Sequence, residues 1–176
     1  MRSDTILIDN QGNGFENVQK EVLKVAVYNE LNPKETMQLQ LCAEEMLSLA
    51  HSVTGEMEAS FYVECTDKAF SLHMTTETIM ELEKRQLLLY AASSRKNDAA
   101  KGFLGKLRDI LEQAMMSDTD VTGYDIPMTA MADLPSGPVR DPEWDGYERS
   151  ILRKVADNIR IGIRGGLVDV TVEKKF

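Results

Sequence analysis

Apolar residues along this chain change period several times, and each change marks an element. Ile6, Leu7 and Ile8 form a short run closed by the glycine-rich turn Asn10-Gln11-Gly12-Asn13-Gly14, which predicts a strand over 5–9. Over 15–31, Val18, Val22, Val25 and Ala26 recur at helical spacing. Asn32-Pro33 ends that helix, and Pro33 suits the first turn of the next, predicted to reach about Ser52 before Thr54-Gly55. The period then falls to two. Ala59, Phe61, Val63 and Cys65 alternate with polar residues, as do Phe70, Leu72 and Met74, with Thr66-Asp67-Lys68 as a turn between them. That pattern predicts a β-hairpin with one buried face.

Residues 79–90 fit a helix or an irregular lid, and 93–101 are polar enough to be expected mobile. From 102 to 116 a helical period returns, with Phe103, Leu104, Leu107, Ile110 and Leu111 on one side. The stretch 117–145 carries Pro127, Pro135, Pro138 and Pro142 with Gly123 and Gly137, and reads as an irregular insertion. A short helix over 147–157 leads to a second hairpin, with Ile159, Ile161 and Ile163 before the turn Arg164-Gly165-Gly166 and Leu167, Val168 and Val170 after it. The order strand, helix, helix, hairpin, helices, hairpin predicts one α+β domain over 1–176. It is a two-layer α/β sandwich with helices on one face of a mixed, mainly antiparallel sheet.

Composition narrows the function classes. A chain of 176 residues with 43% hydrophobic and 28% charged residues suits one soluble domain with a real core. A formal charge of −9 argues against a general nucleic-acid binder, because phosphate contacts need clustered Lys and Arg. Cys42 and Cys65 are too far apart in sequence for a close metal pair and read as reduced thiols. The N-terminus lacks a basic-then-apolar signal pattern and no apolar run is long enough to span a bilayer, so the expected compartment is the cytoplasm. His51 and His73 are too few for a histidine-rich metal site.

The chemistry-bearing candidates lie in three places. In Leu41-Cys42-Ala43-Glu44-Glu45-Met46-Leu47-Ser48-Leu49, Glu45 falls four residues after Leu41 and four before Leu49, on an apolar stripe, while Glu44 turns to solvent. A half-buried glutamate with a raised pKa suits a general base; a Glu45 at the stripe edge paired to a lysine is the alternative. Thr76 and Thr78 end the first hairpin in Leu72-His73-Met74-Thr75-Thr76-Glu77-Thr78, with His73 on its polar side. Lys101-Gly102-Phe103-Leu104-Gly105-Lys106 opens a helix, where backbone N–H groups and lysines could hold phosphate. His51 reads as a helix C-terminal residue facing the dipole. Asp9-Asn10-Gln11-Gly12-Asn13-Gly14 precedes the Glu45 helix and reads as a strand-to-helix turn. Its twelfth position, Lys20, rules out a calcium loop.

Taken together, these three stretches resemble the motif boxes of the histidine-kinase-like ATPase superfamily, in its anti-sigma-factor and serine-kinase branch. In that family the first helix carries an acid followed four residues later by an asparagine that holds Mg²⁺; Glu45 matches the acid, and the metal position falls on Leu49. The aspartate that accepts a hydrogen bond from adenine corresponds to Thr76, and the glycine after it to Thr78. The glycine-rich phosphate loop corresponds to Lys101, Gly102 and Gly105. The resemblance covers roughly 5–116 and the final hairpin. It implies a regulatory protein-binding domain of anti-sigma-factor type with a degenerate ATP pocket and Mg²⁺ binding unlikely, its partner a sigma factor or an anti-anti-sigma-like regulator. An active ATP-binding anti-sigma factor or serine protein kinase is the alternative, and an unrelated α+β interaction domain the third reading. No membrane partner is expected, and a homodimer is left open. With the pocket degenerate, the contact surface is expected in the insertion, at Tyr124, Met128, Met131 and Trp144: aromatics anchor interfaces and methionines adapt to their shape.

Overall fold

A computed structural model describes residues 1–9, 11, 13–54, 58–100, 102–116 and 148–176; of 52–54, 103 and 148–150 it describes the backbone. The elements in chain order are β1 (Ile6–Ile8), α1 (Phe15–Tyr28), α2 (Pro33–Thr54), β2 (Ala59–Thr66), β3 (Ala69–Glu77), α3 (Leu82–Ala91), α4 (Gly102–Met116), α5 (Glu148–Val155), β4 (Asn158–Arg164) and β5 (Leu167–Lys175). The strands form one sheet in the order β1-β2-β3-β5-β4, with every described pairing antiparallel. The fold is an α+β sandwich, as the alternating and helical periods predict. No described helix is long and apolar enough to cross a membrane.

Local chemistry sets the element boundaries. Asp9 closes β1: its Oδ1 accepts from the backbone N–H of Gln11 at 3.0 Å and of Asn13 at 2.9 Å. Gly14 then starts α1 at φ 112°, and a Cβ there would lie 2.5 Å from the Leu7 carbonyl oxygen, so only glycine fits. Asp9 and Gly14 thus mark the end of the strand and the start of the helix. At α2, Asn32 Oδ1 accepts from the N–H groups of Lys34 and Glu35, both at 3.0 Å, and Glu35 Oε2 accepts from Asn32 N–H at 2.9 Å. This reciprocal capping box, with Pro33 in the first turn, fixes the helix start.

The core lies between the helices and one sheet face. Val18, Val22 and Val25 of α1 and Leu39, Cys42, Ala43 and Met46 of α2 pack with Phe61, Val63, Leu72 and Met74 of the first hairpin and Ile159, Ile161, Val170 and Val172 of the second. The other face is polar, as antiparallel sheets permit. On it, the Arg2 guanidinium sits 3.8 Å from the Tyr62 ring centroid, and Tyr62 stacks on His73 with centroids 4.6 Å apart. His73 reads from sequence as a surface residue, yet this stacking leaves its side chain only 21% exposed.

Two segments behave differently from a simple layer. Residues 93–98, expected mobile, run along the free edge of β4. Ser93 N–H donates to the Ile159 carbonyl at 2.9 Å and Ser93 Oγ accepts from Ile159 N–H at 2.8 Å. Asp98 N–H reaches the Ile161 carbonyl at 2.8 Å, and Asn97 clamps both backbone groups of Ile163, at 2.9 and 2.8 Å. An edge strand that would otherwise present unpaired groups is thereby covered. The second segment is α4, whose apolar side faces outward. Leu104 is 78%, Leu111 60% and Met115 79% exposed.

Candidate functional site

The three stretches singled out in the sequence lie on three elements, α2, β3 and α4, and share no cavity among those lined by described residues. Glu45 rides on α2, half-buried between exposed Glu44 and buried Met46, as the stripe predicts. Leu49, one turn on, packs against the core cluster and presents no oxygen toward a metal. Thr76 is the last buried position of β3. Its Oγ1 donates to the Glu58 carbonyl at 2.9 Å, so its hydroxyl proton is already engaged with the neighbouring strand's entry.

Close backbone approach does occur next to Thr76, by a route the sequence does not announce. Thr78 N–H donates to the Gly166 carbonyl at 2.9 Å, and a Cβ on Gly166 would lie 2.6 Å from the Thr78 carbonyl oxygen. The glycine that permits contact here belongs to the β4–β5 turn, and what it lets in is the chain's own backbone.

Gly102 opens α4 at φ 79° with open space around its α-carbon. Gly105 is held for packing: a Cβ there would come within 3.1 Å of the Ala100 carbonyl carbon. Lys101 lies outside the described residues, as do Tyr124, Met128, Met131 and Trp144.

Thr76 and Gly105 line different cavities. Thr76 borders an open cleft of about 670 Å³ at the sheet end, with Asp9, Asn13, Glu58 and Glu77 around it. Gly105 borders a smaller one of about 290 Å³, between α4, Asn97 and Ile163. A third groove of about 460 Å³ runs between α1 and α2, lined by Phe15, Gln19, Leu47 and His51. Among the residues lining these three, Glu45 does not occur. Among the described residues no group of three or more His, Cys, Asp or Glu could hold a metal ion.

A buried polar cluster between α3 and α4 carries no signal in the sequence. Arg85 of α3 is 1% exposed and is ion-paired through Nη2 to Asp109 of α4. Asn97 Nδ2 donates to the same carboxylate oxygen, and Gln113 Nε2 donates to Asp109 Oδ2 at 3.0 Å. Arg85 Nε and Nη1 are buried with no hydrogen-bond partner among the described residues. Glu112, on the same side of α4, accepts from Gly165 N–H at 3.1 Å and from Arg108 Nε at 2.7 Å. A lone arginine in a helix that also carries Leu82, Leu87, Leu88 and Leu89 gives no sequence signal of burial, because arginines are seldom fully buried.

Burial raises the pKa of both cysteine thiols, Cys42 and Cys65, and lowers that of His73. Burial pushes the Cys42 thiol up to about 12, which leaves it un-ionised and unreactive at neutral pH. The His73 imidazole is held below its ordinary value, chiefly by burial, with Arg160 and Arg2 adding to the effect against the pull of Glu64 and Glu173.

Comparison with models of known protein families returns no match for the chain, and comparison with curated proteins returns none.

Proposed function

We propose that the protein is a regulatory, protein-binding domain of anti-sigma-factor type, acting in the cytoplasm, with a nucleotide pocket that has lost most or all of its ATP chemistry. The observation that carries this reading is the engagement of Thr76: the hydroxyl at the adenine-recognition position already donates to the Glu58 carbonyl at 2.9 Å. An aspartate accepts from an adenine amino group with lone pairs that nothing else needs, whereas this threonine offers a weaker, already oriented acceptor. Leu49 supports the same reading, because an apolar side chain packed against the core cannot supply a metal ligand. Without turnover, such a domain works by holding a sigma factor or an anti-anti-sigma-like regulator through surface contact.

An active ATP-binding anti-sigma factor or serine kinase is the second reading. It is favoured by the half-buried position of Glu45 on α2, where a general base would sit. Calorimetric titration with Mg²⁺-ATP separates the two. The degenerate pocket predicts weak or undetectable binding, and a dissociation constant tighter than about 10 μM, roughly −7 kcal/mol, would overturn it.

A further inference from the structure

We propose that the outward apolar side of α4 is the docking surface for a partner protein, and that it takes an acidic amphipathic helix. The proposal rests on the protein-binding reading above, though not on the state of the nucleotide pocket.

An amphipathic helix on a globular domain normally turns its apolar stripe to the core. Here the arrangement is reversed. At about 100° per residue, Gly105, Asp109, Glu112 and Met116 fall within an arc of about 60°. Among the described α4 positions these are the half-buried ones, and Asp109 and Glu112 make the anchoring bonds to Arg85, Asn97 and Gly165. Leu104, Leu107, Ile110, Leu111 and Met115 occupy the opposite arc and are 78%, 45%, 37%, 60% and 79% exposed. No described α4 residue joins the hydrophobic core.

The reversal is fixed by charge. Among the described residues Asp109 is the one partner of the Arg85 guanidinium, and turning α4 over would strand that buried charge. The fold therefore holds the helix with its apolar side out, at the cost of a buried ion pair. Such a departure from normal patterning is what an interaction surface requires.

The shape and charge of the surface select the occupant. The stripe follows a helix of 15 residues, about 22 Å long, and repeats every three to four residues. A second helix laid along it would match its ridges. Lys106 is exposed on one flank of the stripe; Arg108, on the other, is exposed but paired to Glu112, and the first turn of α4 carries no acid. With the positive end of the helix dipole added, the N-terminal half of this surface is cationic on a chain of net charge −9. Acidic residues flanking the partner's apolar stripe complement it.

The test uses the full chain and a synthetic helical peptide of about 20 residues, with leucines at helical spacing and glutamates flanking them. Fluorescence anisotropy should show saturable binding tighter than about 100 μM, weakened at least about tenfold when lysines replace the glutamates. The L107E/L111E double variant should weaken binding at least about tenfold with an unchanged thermal melt, and K106E by about threefold. Both substitutions are at exposed positions, so neither disturbs the core. Equal binding of the two peptides, or no effect of L107E/L111E, overturns the proposal. A dimer in sedimentation that L111E dissolves would assign the surface to a second copy. A change in fluorescence of Trp144, the single tryptophan, on introducing L107E/L111E without peptide would assign it to the chain's own 117–147 segment. Binding to anionic phosphatidylglycerol vesicles in place of the peptide would assign it to a membrane. Each of these three results also overturns the proposal. Quantified capture from native extract keeps the two readings apart. Capture by wild type and equally by L107E/L111E refutes the surface alone, whereas no capture by wild type refutes the protein-binding reading.

Discussion

Removing the carboxylate of Asp109 should be among the most damaging single changes near the candidate site. The Asp109 side chain is 16% exposed and that of Arg85 1%, so the pair is screened little by solvent. Asp109→Ala removes the one described partner of the Arg85 guanidinium, whose Nε and Nη1 have none among the described residues, and also removes the acceptor of Asn97 Nδ2 and Gln113 Nε2 on α4. Breaking a buried ion pair from one side costs about 3–5 kcal/mol, because the remaining charge stays desolvated. Since α4 contributes no described residue to the core, its release can let Arg85 reach water, and the lower end, about 3 kcal/mol, is expected. For a chain of this length that is a fall in melting temperature of about 6–12 °C. The double variant Arg85→Met with Asp109→Leu removes both charges and should recover most of the loss, as apolar replacements of buried pairs do. Urea titrations followed by circular dichroism, on the wild type, both single variants and the double, give the cycle. A loss under about 1 kcal/mol for Asp109→Ala, or a double variant no better than the single, would refute the argument that charge holds α4 in place.

Gly14→Ala should destabilise by about 1–3 kcal/mol, since φ 112° is strained for any L residue and the new Cβ would meet the Leu7 carbonyl at 2.5 Å; a thermal melt within about 1 °C of wild type would contradict this. His73 gives a pH dependence of definite sign. Its folded pKa lies below the ordinary 6.5, so the folded state resists protonation that the unfolded chain accepts. The stabilisation is present above about pH 6.5 and is lost as pH falls from there toward the folded pKa. His73→Gln should flatten the melting-temperature profile between about pH 7 and pH 5, and an unchanged profile would remove His73 as its source.

The alternation of Ala59, Phe61, Val63 and Cys65, and of Phe70, Leu72 and Met74, is sufficient to place the first hairpin and its buried face. A one-residue slip would expose every one of them. The same holds for Ile159, Ile161 and Ile163. The helical recurrence of Val18, Val22 and Val25, and the position of Glu45 on its stripe with Glu44 outside it, follow equally from local period. Local turn chemistry was legible too: Asp9 and Gly14 close a strand and start a helix whatever lies around them.

What sequence could not determine is set by groups far apart in the chain. The direction in which α4 faces depends on Arg85, Asn97 and Gly165, none of which belongs to the helix, and amphipathic period alone predicts the opposite orientation. The order of 93–98 depends on the backbone of β4, more than 60 residues later, to which Ser93 and Asn97 are bonded. The state of Thr76 depends on the Glu58 carbonyl, which only strand register brings within 2.9 Å. Periodicity reports which face of an element is apolar. Which face is buried is decided by the free energy of the whole assembly, and around α4 a buried charge outweighs an apolar stripe.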